Sequence, residues 1–178
     1  MTRAGTNRIL GLAVAAAIFL IDQAIKALVT GPLRLQEVRH IDLLPIFDLT
    51  WTENYGISLG LFTANSNEAR WMLVAVTALI ALFVTIWMLR ERLLGDIAPL
   101  ALILGGALGN IRDRFLYGYV VDYADLHFGE FRPFLIFNLA DAAISIGVVI
   151  ILARSLFMRE KPPAPQSDSQ ADKSAEIS

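Results

Sequence analysis

Two carboxylates stand where the chain offers them little water. Asp122 follows the apolar Tyr119-Val120-Val121, and Asp141 follows Phe137-Asn138-Leu139-Ala140. Held around one water molecule, two such groups can split an amide. The ionised one takes a proton from the water while the protonated one donates to the carbonyl oxygen. A proton or ion pathway would use the same residue types, so both chemistries stand at this point. Other polar residues recur at helical spacing. Asp22 and Lys26 are i,i+4 on one helix face and can pair, which also suits a purely structural ion pair near the interface. Asn110 and Arg114 share the i,i+4 spacing, and Asn138 and Asp141 are i,i+3. Gly105, Gly106 and Gly109 read as small residues that let helices approach closely. Asp113, between Arg112 and Arg114, reads as a salt-bridged structural acid, and Asp125 and Glu130 as solvated acids of a loop. The chain has no cysteine, which excludes a thiol nucleophile, a zinc knuckle and a disulfide framework. His40 and His127 have no ligand at helical spacing, so no metal site and no cofactor is expected.

The elements that must position these groups are membrane spans. The 178 residues are 56% hydrophobic and only 18% charged, against about a quarter charged in soluble domains. The mean hydropathy is +0.56, and the net charge of −2 argues against a nucleic-acid partner. Four stretches approach the roughly 20 apolar residues that cross a bilayer: Ile9–Val29, Trp71–Leu89, Ile97–Ile111 extending toward Leu116, and Phe137–Phe157. Arg3 and Arg8 before the first run resemble a secretory signal. That run continues past Asp22 with no small-x-small site to close it, so it reads as a retained span. Four spans put both termini on one side, and Arg3, Arg8, Arg90, Arg92, Arg154, Arg159 and Lys161 mark that side as cytoplasmic.

Depth then brings the polar residues together. At 1.5 Å per residue, Asp22 and Asn110 each lie about 20 Å above the start of their spans, and Asp141 about 6 Å below the outer end of its own. Several polar groups at one level, in the outer third, argue for a site, because ionisable residues in a span usually face the bundle interior. The inner halves of the spans are nearly free of such groups, which disfavours a pathway through the full thickness. The segment from residue 30 to 70 reads as short strands over the outer surface with a turn at Thr63–Ala69. Residues 117–136 form a second outer loop. Residues 1–161 thus read as one four-helix domain, and 162–178 as a disordered cytoplasmic tail.

Five blocks in order resemble the bacterial lipoprotein signal peptidases, or signal peptidase II. They are D-Q-A-I-K at Asp22 and Lys26, N-Y-G-I-S-L-G at Asn54, Gly56 and Gly60, G-G-A-L-G-N-I-R-D-R from Gly105 to Arg114, V-V-D-Y at Asp122, and F-N-L-A-D-A-A-I at Asn138 and Asp141. The resemblance covers roughly Ile9 to Phe157. It implies an all-α membrane protein of four transmembrane helices with a small extracytoplasmic β-cradle and a flap. It also implies an aspartyl endopeptidase of the cytoplasmic membrane that removes the signal peptide of diacylglyceryl-modified prolipoproteins, cutting before the lipidated cysteine. It places the catalytic pair at Asp122 and Asp141, with support from Asp22, Lys26, Asn54, Gly56, Gly106, Asn110, Arg114 and Asn138. The partners it implies are prolipoprotein substrates, membrane lipid and globomycin-type inhibitors. Ile57-Ser58-Leu59 stands where the family often has Ala-Ala-Phe, a difference that bears on substrate or inhibitor fit. A proton-coupled transporter subunit and an assembly factor without chemistry are the competing readings.

Overall fold

The computed structural model describes residues 2–56 and 67–157. Helix α1 (Arg3–Thr30) leads to a short α2 (Leu35–Val38) and a hairpin of β1 (His40–Leu44) and β2 (Phe47–Asn54). Then come α3 (Asn67–Arg90), α4 (Leu94–Leu116), β3 (Val120–Leu126) and α5 (Leu139–Phe157). The four long helices have 28, 24, 23 and 19 residues, and each is apolar enough to cross a membrane.

α4 is the central helix and packs against α1, α3 and α5. Half of its apolar window is buried, against 17–22% for the other three. Its glycines explain the close fit. A Cβ at Gly105 would lie 2.5 Å from the Ala15 carbonyl oxygen of α1, and one at Gly106 would lie 2.4 Å from the Ala140 oxygen of α5. The remaining core is aliphatic: Ala15, Ala81, Val84, Met88, Ile97, Leu100, Ala101, Ile103 and Leu104. At the far end from the sheet, polar bonds join the helices. Arg154 pairs with Asp96 at 2.7 Å, and Arg8 Nε donates to the Glu91 carbonyl at 3.1 Å.

The strands form an antiparallel sheet in the order β1-β2-β3. Leu49, Trp51, Val121, Tyr123 and Ala124 of the sheet are buried together with Val29 of α1 and Leu35 of α2. The hairpin lies within the segment expected to form short strands. β3 lies in a segment read as a loop. Its first six residues are all buried, so it lacks the in-out alternation by which a half-exposed strand is recognised. The expected turn gives way to helix at Asn67. The earlier part of that turn, the flap segment from Ile57 and the tail beyond Phe157 lie outside the described residues. The fourth span begins two residues later than expected. Phe137 is drawn into the sheet by exchanging backbone bonds with Ala124 at 3.1 and 2.8 Å, and the helix starts only after it.

Candidate active site

Asn138 is the hinge between sheet and helix. Its Oδ1 accepts from the Asp141 N–H at 2.9 Å, and its own N–H donates to Asp141 Oδ2 at 3.4 Å. This is reciprocal N-terminal capping, so one acid of the pair is also part of the start of α5. The Asn138 side chain reaches the other way as well, and Nδ2 donates to Asp122 Oδ1 at 2.6 Å. Asp122 comes from β3, where it pairs across from Thr52. Its second oxygen accepts from Asn54 Nδ2 at 3.0 Å. Asp141 accepts from Asn110 Nδ2 of α4 at 2.7 Å. Asn54 of β2, Asn110 of α4 and Asn138, which caps α5, thus hold two carboxylates, one from β3 and one from α5.

Behind this layer is a buried charge cluster. Lys26 Nζ lies 2.9 Å from Asp22 and 2.7 Å from Asp113, and 3.4 Å from Asn110 Oδ1. Asp22 also accepts from the Ala140 N–H at 3.1 Å, and Asp113 from the Val121 N–H at 3.3 Å. The Asp22–Lys26 pair forms as expected and does more than brace the interface, because it backs the amide that holds Asp141. Asp113 is salt-bridged, but its partner is Lys26 rather than the flanking arginines. Arg114 lies within electrostatic reach of Asp141, Asp122 and Asp113. Its Nε is buried without a hydrogen-bond partner among the described residues.

Burial, and then the nearby charge of Asp141, push the Asp122 carboxyl up to about 6 from its usual 3.8. Asp122 lines an outer cavity of about 730 Å³ together with Asn54, Gly56, Arg132 and Phe134. Asp141 lines a separate cavity of about 230 Å³ with Phe134, Phe137, Ala142 and Ser145. Phe134 and Leu135 border both.

The structure therefore brings together Asp122, Asp141, Asn54, Asn110 and Asn138, with Asp22, Lys26 and Arg114 around them. Gly56 lines the cavity, its φ of +92° suiting glycine. Gly106 packs α4 on α5 without touching the carboxylates. One expectation is overturned. Asp125 is not solvated but 3% exposed; the Thr50 hydroxyl donates to it at 3.2 Å and Arg132 Nε pairs with it at 3.2 Å. One contributor was missed. Gln23 Nε2 donates to Asp22 at 3.0 Å and Asp113 at 3.2 Å, and Arg112 donates to its Oε1. Its position inside the D-Q-A-I-K block is the only signal the sequence carried.

The model of the family described as signal peptidase (SPase) II matches residues 14–157. The chain belongs to the signal peptidase II family. Among its relatives, the lipoprotein signal peptidase of Sphingopyxis alaskensis is 55% identical over 90% of this chain and 91% of its own length. That of Rhizorhabdus wittichii is 50% identical over 92% and 95%. A solved bacterial membrane enzyme superposes with a TM-score of 0.72 at 25% identity, covering 85% of this chain and 94% of that one. A second gives 0.70 at 23% identity, over 87% and 94%. The four spans and the small sheet are therefore the architecture of a signal peptidase II, and all five sequence blocks fall within the matched residues.

Proposed function

We propose that this chain is a membrane aspartyl endopeptidase that removes the signal peptide from diacylglyceryl-modified prolipoproteins, cutting before the lipidated cysteine. The observation that carries the reading is the bridge made by Asn138 between Asp122 and Asp141. One residue holds both acids, through its side-chain amide and its backbone N–H, and the raised Asp122 suits a pair that shares one proton. A water between them gives its proton to the ionised carboxylate and attacks the scissile carbonyl. The protonated carboxyl donates to the carbonyl oxygen. Collapse of the tetrahedral intermediate breaks the C–N bond, and the proton taken from water passes to the leaving amine. Asn110, Asn138 and Arg114 have N–H donors and no basic site at neutral pH, so they orient and polarise. The two cavities suit the division of reactants. Water enters beside Asp122, and a membrane-embedded peptide comes alongside Asp141. α4 carries no ionisable residue from Ile97 to Gly109, which disfavours a proton path through the bundle.

The active site then faces the outer side of the bacterial cytoplasmic membrane and both termini face the cytoplasm, a reading the Arg and Lys distribution supports. Globomycin-type cyclic peptides would occupy the same cleft. The test is incubation of purified protein with a lipidated prolipoprotein, following the mobility shift. Asp122→Asn and Asp141→Asn are each expected to bind substrate and not cut it. The double variant should be little worse than either single, because members of a catalytic unit are not additive. Near-normal cleavage by either single variant removes that residue from the pair.

A further inference from the structure

We propose that His40, Asp42 and Asp48, on one face of the sheet, form a binding site for a divalent transition-metal ion, with His127 holding Asp48 and zinc the best match to the donors. The sheet register assembles them. His40 and Asp42 alternate along β1, opposite Thr50 and Asp48 of β2. Asp48 in turn lies opposite Asp125 of β3, two residues before His127. All six therefore share one face. His40 Nε2 lies 3.0 Å from Asp42 Oδ1 and 3.6 Å from Asp48 Oδ2, and His127 Nε2 lies 2.8 Å from the same Asp48 oxygen. Around a tetrahedral zinc with bonds near 2.1 Å, neighbouring donor atoms stand about 3.4 Å apart. An imidazole with two carboxylates favours zinc and its neighbours over magnesium or calcium, which prefer oxygen alone.

The surrounding hydrogen bonds prepare these atoms as donors. The Thr50 hydroxyl has one hydrogen, and it goes to Asp125 Oδ2 at 3.2 Å. Thr50 therefore accepts from His40 Nδ1, 2.8 Å away. With its hydrogen on Nδ1, His40 offers Nε2 on the side of Asp42 and Asp48. A chain from carboxylate through hydroxyl to imidazole is the kind of outer support that orients metal-binding histidines. Asp125 is itself held by Arg132, leaving Asp48 and Asp42 to face the imidazoles. The Asp48 Oδ1 atom is occupied by the Leu43 N–H at 3.2 Å, which leaves Oδ2 for a ligand. The Asp48 side chain is 8% exposed and that of Asp42 93%, so the site has a buried floor and an open entrance. Asp48 and Asn54 are six residues apart on β2, or about 20 Å. The ion would tie β1 to β2 without touching the peptide-cleaving pair, so the proposal is independent of that reading.

The test uses full-length protein, purified in detergent with any histidine tag removed. Cobalt(II) is expected to develop visible d–d absorption bands that one equivalent of zinc abolishes and magnesium does not. Saturating zinc should raise the melting temperature by about 4 °C or more. His40→Gln, at an exposed position outside the cleavage machinery, should lose both responses and keep prolipoprotein cleavage. Thr50→Val, which removes only the acceptor for Nδ1, should weaken cobalt binding by about 10–100-fold. Absence of the bands and of zinc stabilisation in the unmodified protein overturns the proposal. So do responses of equal size in His40→Gln, which would place the metal elsewhere.

Discussion

Asn138 does three jobs with one side chain and one N–H: it caps α5, fixes Asp141 and donates to Asp122. Asn54 does only the last of these. Asn138→Ala is therefore expected to lower turnover more than Asn54→Ala. Loss of one positioned donor costs about 10²–10³-fold, and loss of the cap adds about 1 kcal/mol of instability. Turnover and melting temperature measured on both variants separate the two effects. Asp122 leads to a second prediction. Its folded-state pKa of about 6 lies above the usual 3.8, so the folded chain binds this proton more tightly than the unfolded one. The stability linked to it is present at low pH and lost as pH rises from about 4 through 6. At 1.36 kcal/mol per unit this amounts to about 3 kcal/mol. In Asp122→Asn the loss should vanish, so the melting temperature of the variant minus that of wild type should climb over this window and level off above it. A difference that stays constant with pH would show that the carboxyl is not held up.

At the scale of elements, the glycines of α4 set how near the acids can come. Gly106→Ala meets backbone oxygen of α5, and Gly109→Ala meets Asp22 Oδ2 at 2.5 Å. Each is expected to cost about 1–3 kcal/mol as overpacking and to lower turnover, because α4 presents Asn110 to Asp141. Gly5→Ala, on α1 with only Thr2 Oγ1 at 3.4 Å, should instead be neutral or stabilising by about 0.5–1 kcal/mol. Thermal melts of the three variants give the comparison. The spans and their polar level were legible because hydropathy and rise per residue fix them directly. Gly105 and Gly109 were legible from their spacing. β3 was not, because burial on both faces erases the alternation. The fate of Asp125 and the convergence of His40 and His127 on Asp48 were hidden for a related reason. Both depend on which residues lie opposite each other in a sheet, and helical spacing carries no information about that.

At the scale of the whole molecule, the lack of cysteine makes the proposed orientation easy to test. A single cysteine at the exposed Glu130 should react with an impermeant maleimide added outside intact spheroplasts. One at the exposed Arg92 should react only after permeabilisation, and the reverse pattern would invert the topology. The two acids also stand on elements that meet the bilayer differently. Asp141 sits in the first turn of the apolar α5, whereas Asp122 belongs to the sheet, which packs against α1 and α2. A change in bilayer thickness that tilts or shifts α5 would therefore move one carboxylate relative to the other, with Asn138 as the tether between them. Turnover in bilayers of graded acyl-chain length is thus expected to vary with chain length, and a flat profile would show that the pair is insulated from α5.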